Sequence, residues 1–236
     1  LKSKTFENNK KTNNLEYGGD GRVFIGTGLN LDFTVNPDFS QIEVDDQIIN
    51  LTRFAVALPE KRQFFIQNSD LFSGFGDTYE NRPFFTRRIG VTKDLDGNTI
   101  QNKIRAGLRL SGKLTKRLRI GLLNMQTAKD EENLISSSNN TVLSFQQNVF
   151  SKSNLKFLFV NREDTAQENF ESEQERYNRL LGFDYNFISK NDKIRGKVFF
   201  YNTFSPSEEN QGISTGFRFN YNDIKNRFRT VFTRTT

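Results

Sequence analysis

The sequence predicts an all-β chain, specifically an antiparallel up-and-down transmembrane β-barrel, and three observations lead there. Apolar and polar residues alternate with period two through most of the chain, as strands with one wet face require. Many of the alternating runs reach about ten residues, the length of a tilted membrane strand, whereas strands in globular domains average about 5–6. The breaks between runs are short and long by turns, the rhythm of barrels with tight turns at one rim and larger loops at the other.

Composition fits the same class. Only 34% of the 236 residues are apolar and 26% are charged, against an apolar share of about 45–50% in an ordinary packed domain. The mean hydropathy of -0.67 would suit a disordered chain, but 25 Phe mean that surface is being buried. A barrel resolves the conflict, because only alternate residues need to face lipid. Trp is absent and Tyr numbers six, so an interfacial girdle would have to lean on Phe.

Neither Cys nor His occurs, which excludes disulfides, thiolate chemistry, Ser-His triads and His-ligated metals within these residues. No catalytic residue, metal site or cofactor is expected. No run of about 18 apolar residues exists, so no membrane helix is expected. No leader precedes Leu1, so an exported protein would be represented here in mature or truncated form. The net charge of +6 raises nucleic acid as a partner, but Lys and Arg alternate with apolar residues along strands instead of clustering, so none is expected.

Along the chain, Leu1–Leu15 is rich in Lys, Asn and Thr and reads as a linker or solvated tail. From Arg22 the pattern changes: Leu29, Leu31, Phe33 and Val35 alternate with polar residues until Pro37, which lacks the N–H a ladder needs. Asp45–Ala57 reads as a short helix capped by Asp45, with a strand as the alternative. A strand or strand pair is expected over Pro83–Thr92. Asp94-Leu95-Asp96-Gly97-Asn98 has calcium-loop spacing at its start but lacks the bidentate Glu, so a hairpin turn is the better reading.

Four hairpins follow. Ile104–Leu110 pairs with Leu118–Leu122, Leu143–Val149 with Leu155–Phe159, Leu181–Phe187 with Ile194–Phe204, and Phe217–Tyr221 with Phe228–Phe232. About eleven strands result, an awkward number for a closed bacterial barrel. Residues 21–236 are therefore read as an incomplete barrel domain, a fragment of a longer one, with 1–20 as linker or domain start. On Lys193–Phe204 the basic residues share one face. Because arginine at the bilayer midplane costs about 2–4 kcal/mol on the lipid side, Arg105, Arg109, Arg119, Arg195 and Lys197 are expected to line the interior, or to be wet-side residues paired with Asp and Glu.

Three strings stand apart from the hairpins: Asn36-Pro37-Asp38-Phe39-Ser40-Gln41, Pro59-Glu60-Lys61-Arg62-Gln63-Phe64-Phe65 and Phe85-Thr86-Arg87-Arg88-Ile89-Gly90. Together with Asn50-Leu51-Thr52-Arg53-Phe54 they resemble an uncharacterised family of bacterial outer-membrane β-barrels, usually found C-terminal to a carbohydrate-binding module similar to family nine. The resemblance is specific over Leu29–Gly90 and architectural beyond. Gln63 departs from it, standing where Pro is usual, and the module is not among these residues. It implies export, a barrel in the cell outer membrane of a Gram-negative envelope, and a link to glycans.

Residues 36–90 are accordingly expected to form a plug or periplasmic-end segment. Its network would comprise Asp38, Gln41, Glu60, Lys61, Arg62, Arg87 and Arg88, with Glu60 paired to Arg87 or Arg88, because charge buried in a lumen persists only when paired. The alternative is that these strings merely lock the first strands and a turn together. The expected function is a non-enzymatic channel, receptor or subunit of an envelope complex, with outer-membrane lipid as partner and other envelope proteins and glycans as further candidates. The alternative is a carbohydrate-binding or carbohydrate-processing envelope protein. Of long-loop aromatics only Phe170 would serve binding, and the acidic run Asp130, Glu131, Glu132 is the nearest candidate for hydrolysis, though adjacent acids on one loop usually only solubilise. The sequons at Asn50 and Asn139 are expected to be chance.

Overall fold

The computed structural model describes residues 2–7, 10–15, 17–37, 60–76, 82–93, 99–165, 176–206 and 211–236. The expected helix over Asp45–Ala57, the sequon at Asn50 and the loop residue Phe170 lie outside them. So do Asp94–Asn98, although the flanking strands β5 (Val91–Lys93) and β6 (Thr99–Gln101) pair antiparallel.

The N-terminal stretch corrects the reading of a solvated tail. Strands β1 (Lys2–Glu7) and β2 (Lys10–Leu15) pair with each other as a separate two-stranded sheet, Thr5 opposite Thr12. A backbone ladder needs no apolar side chains, so an apolar/polar period cannot reveal it.

The main body is one sheet of ten antiparallel strands. In chain order these are β3 (Gly19–Ile25), β4 (Leu29–Val35), β7 (Ile104–Lys113), β8 (Leu118–Thr127), β9 (Ser138–Val149), β10 (Ser153–Asp164), β11 (Tyr177–Ile188), β12 (Ile194–Phe204), β13 (Gly212–Asn222) and β14 (Arg227–Thr235). Each pairs with the next in that order, so the sheet is a plain meander with β3 and β14 at its two ends. No pairing among the described residues joins those ends, so the structure shows an open antiparallel sheet; an incomplete barrel, part of a longer one, was expected. The expected hairpins are all present, and β4 ends one residue before Asn36, which adopts φ 47 ahead of Pro37.

Among the described residues one non-meander excursion leaves after β4 and returns at β7, its neighbour in the sheet. It contains two single-turn helices, α1 (Gln63–Ile66) and α2 (Asp70–Ser73), and a 3-10 turn over Thr86–Arg88. That turn replaces most of the strand expected over Pro83–Thr92. The reason is a long-range contact: the carbonyls of Thr86 and Ile89 turn to accept from the Arg62 guanidinium, and Thr86 O also accepts Ile89 N, which closes the turn.

The two faces of the sheet differ. Residues 60–76 and 82–90 pack on one of them, here called the docked face, and the core lies between: Phe65, Leu71, Phe72, Phe75, Phe84 and Ile89 from the excursion meet Leu123, Met125, Val142, Leu158, Leu180 and Phe199 from the strands. The other, free face carries large apolar side chains in solvent contact, among them Phe33, Leu108, Phe145, Leu155, Phe183, Val198, Phe200, Phe217 and Phe232. They form cross-strand rows, as in Phe145↔Phe157↔Phe183↔Phe200, with ring centroids 6.0 and 5.1 Å apart at the first two steps. Toward the ends of β8–β11 nearest the longer connections the same face turns polar, where Asn124 bonds to Asn139 and Thr141, and Arg179 to Asn161.

Candidate functional site

The candidate site is the seam between the excursion and the docked face. Its first part is a knot inside the excursion that ties two of the sequence strings together. The Arg62 side chain, buried by its neighbours, donates from Nε and Nη2 to the two Glu60 carboxylate oxygens, both at 2.9 Å, and from Nη1 and Nη2 to the carbonyls of Ile89 and Thr86 at 2.6 and 2.7 Å. Thr86 Oγ1 donates to Glu60 at 2.6 Å, and the Arg62 guanidinium lies 4.2 Å from the Phe65 ring centre. Burial pushes the Glu60 carboxyl upward, but the Arg62 hydrogen bonds and charge and the Thr86 hydroxyl outweigh it, leaving its pKa below the ordinary value. Gly90 closes the knot at φ 76, with its carbonyl accepting from Asn102 N at 2.9 Å. A Cβ there would stand 3.1 Å from the Asn102 carbonyl, and the left-handed backbone suits glycine.

The second part is a row of wall side chains that hold the excursion's backbone. Arg109, fully buried on β7, donates to Gln67 O at 2.9 Å while its other nitrogens bond Asp32 at 2.7 and 3.1 Å. Asp32 is also bonded by Arg22. Lys156 on β10 donates to Gly74 O at 3.0 Å, and Lys197 on β12 to Gly76 O at 2.6 Å. Gly76 N donates in turn to the Tyr201 hydroxyl at 2.5 Å, and that hydroxyl donates to Asp184. Arg119 on β8 grips the Asp70 carboxylate at 2.5 and 3.0 Å. Those bonds hold the Asp70 carboxyl below its usual range against the opposing effect of burial. Apolar seating completes the row: Gly121 and Ser144 leave a hollow for the Phe72 ring, since a Cβ on Gly121 would lie 2.9 Å from Phe72 Cζ.

Three wall cations thus end on backbone carbonyls of the excursion, and a fourth on a carboxylate. Main-chain carbonyls are indifferent to side-chain identity, so this clamp fixes the path of residues 67–76 more than their sequence.

The predicted network is only partly assembled here. Glu60 and Arg62 sit at its centre, but the partners of Glu60 are Arg62 and Thr86 in place of the expected Arg87 or Arg88. Arg88 is exposed and its guanidinium lies 5.4 Å from the Phe85 ring centre; Lys61 is exposed and Arg87 half-buried. Asp38 and Gln41 lie outside the described residues. Of the expected interior cations, Arg109, Arg119 and Lys197 bind acids, with Lys197 2.6 Å from Asp184. Arg195 is 3.9 Å from Asp192, and Arg105 is exposed beside a register shift in β7.

Sequence reasoning missed Asp70, Gln67, Gly74, Gly76, Lys156, Asp184 and Tyr201. Asp184 alone left a signal, a single acid in the alternation of β11. The acidic run is otherwise employed: Asp130 accepts from the N–H groups of Glu132 and Asn133 and from the Asn133 amide, while Glu131 lies 3.3 Å from Lys129. The Asn139 sequon amide is bonded to Asn124 and Gln126. Among the described residues no group of acidic side chains is arranged to hold a metal ion.

An antiparallel meander with a chain excursion clamped across one face defines an all-β protein with a docked internal segment. Residues 2–234 match the model of a domain of unknown function, DUF5916, and the chain belongs to that family. No curated protein and no solved structure matches it.

Proposed function

We propose that this chain forms part of an outer-membrane β-barrel whose free face meets lipid and whose residues 60–90 plug the interior, and that it acts without catalysis, as a receptor or a subunit of an envelope complex. The observation that carries this is the pairing of faces: one is an exposed band of Phe, Leu and Val, the other holds the core together with the buried Arg109 and Asp184 and is covered by the chain's own segment. In water so large an apolar surface invites association; in a bilayer it is what a barrel wall presents. The reading requires the edges β3 and β14 to be paired in the membrane, since backbone groups left open in hydrocarbon cost several kcal/mol each, a magnitude of order 10⁰–10¹. A clamped plug favours a closed or gated barrel over a freely open channel. The carbohydrate-linked alternative rests on the family resemblance.

The test is membrane fractionation of the full-length protein followed by electrophoresis with and without boiling. Recovery in the outer membrane with faster migration unboiled is the expected result. A soluble protein whose mobility ignores boiling overturns the reading.

A further inference from the structure

The short turns of the meander form one linked rim at one end of the sheet. Residues 114–117 join β7 to β8, 150–152 join β9 to β10, 189–193 join β11 to β12 and 223–226 join β13 to β14. Each turn is tied to the next hairpin: Asn148 N donates to Arg117 O at 2.8 Å, Lys152 Nζ to Lys190 O at 3.3 Å and Asn222 N to Lys193 O at 2.8 Å.

The rim is apolar at its tips. Turns ordinarily favour Gly, Asn, Asp and Ser, yet Leu114 is 53% exposed, Phe150 84% and Ile224 100%. Phe150 also adopts φ 53, a left-handed backbone that costs a bulky side chain energy. A ring that strains its turn and lies open to water contributes little to folding there. Ile224 in turn extends the free-face pair of Tyr221 and Phe228, which stand opposite each other at the base of its turn.

The rim is also basic. Its turns hold Lys116, Arg117, Lys152, Lys190, Lys193 and Lys225 against Asp192 and Asp223. Asp192 pairs with Lys152 and Asp223 with Lys193, so a net positive charge remains on the turns after pairing. The connections at the other end have the opposite sign in sequence: 166–175, between β10 and β11, and 207–210, between β12 and β13, contain Glu but neither Lys nor Arg. Cations flanking apolar tips suit the headgroup layer of an anionic bilayer, where the tips enter the acyl boundary and the cations stay at the phosphates. An acidic protein would answer the charge but would leave the separate tips Phe150 and Ile224 without a partner.

We propose that the short-turn rim is a binding surface for anionic glycerophospholipid, with Leu114, Phe150 and Ile224 inserted and Lys116, Arg117, Lys190 and Lys225 at the phosphodiesters. The membrane itself comes from the barrel reading, which puts short turns on the periplasmic side; the preference for anionic headgroups comes from the rim.

The 236 residues contain no Trp, so Phe150→Trp supplies a single fluorescent reporter. The probes are dibrominated phosphatidylglycerol and dibrominated phosphatidylcholine, which quench an inserted Trp, in vesicles holding the full chain, with heat-modifiability recorded on the same samples. Quenching by both lipids is expected, with phosphatidylglycerol bound about five-fold or more over phosphatidylcholine, the factor that one cation contributes at an anionic surface. Adding Lys116→Gln/Arg117→Gln/Lys190→Gln/Lys225→Gln should bring the preference close to unity, whereas Arg179→Gln, toward the longer connections, should leave it unchanged. A heat-modifiable protein whose reporter is unquenched, or whose preference is absent or survives the four substitutions, overturns the rim site while the barrel stands. Equal quenching by the two lipids with rim-dependent binding of polyglutamate assigns the cations to an acidic protein and overturns the lipid site. Rim-dependent preference in a protein that is not heat-modifiable overturns the barrel alone.

Discussion

Arg109 and Asp32 face each other on β7 and β4, directly opposite in register, and the guanidinium that neutralises Asp32 also carries Gln67 O of the excursion. One buried ion pair therefore joins sheet to excursion. Asp32→Asn strands a wholly buried guanidinium and is expected to cost about 3–5 kcal/mol. Arg22→Gln removes the half-exposed partner on the other Asp32 oxygen and should cost about 1 kcal/mol or less. Urea midpoints of the folded electrophoretic band separate the two; equal effects would contradict the assignment.

Phe72 and Gly121 give a packing prediction. A side chain at 121 collides with both the Phe72 ring and Ser144 Oγ, so Gly121→Val should destabilise by about 1–3 kcal/mol through overpacking. Phe72→Leu placed on that background should recover part of the loss, a coupling that a double-mutant cycle reads directly. Strict additivity would mean that α2 does not sit on β8 as described.

Docking of the excursion should respond to acid. Glu60 and Asp70 both have pKa values lowered in the folded state, so the unfolded chain binds protons first and the two carboxylates stabilise docking fully above their unfolded values. That contribution is lost as pH falls from the ordinary carboxylate range, near 4.5 for Glu60 and 3.8 for Asp70, through the lowered folded values. Limited proteolysis of residues 60–90 should be flat from neutral pH down to that range and rise below it. In Glu60→Gln the Glu60 part of this acid dependence should disappear, and cleavage at neutral pH should increase.

The free face can be probed with one charge. Phe183 is 54% exposed in the centre of the aromatic row, and Phe183→Arg should cost about 2–4 kcal/mol if that row lies at the bilayer midplane. Loss of the fast-migrating unboiled form at lower temperature is the expected readout. A neutral outcome would place the row in water.

How much could be read in advance depended on the range of the interaction. β7 through β14 were legible because alternation is local: each residue of Leu181–Phe187 declares its face through its neighbours two positions away. The β1–β2 hairpin was not, since pairing between Thr5 and Thr12 leaves no apolar trace. The strand expected near Pro83 failed for the opposite reason, because Arg62, 24 residues from Thr86, diverts the carbonyls a ladder would use.

By itself, the sequence determined strands β4 and β7 through β14, the order of β7–β14 as hairpins, the apolar character of one face and the importance of the strings around Glu60 and Thr86, because all of these are written in spacing and residue type. Only the tertiary structure decided that Glu60 belongs to Arg62 and Thr86, and that Arg109, Lys156 and Lys197 close on the carbonyls of Gln67, Gly74 and Gly76. A main-chain carbonyl is the same at every residue, so no pattern of side chains can announce which one a distant cation will bind.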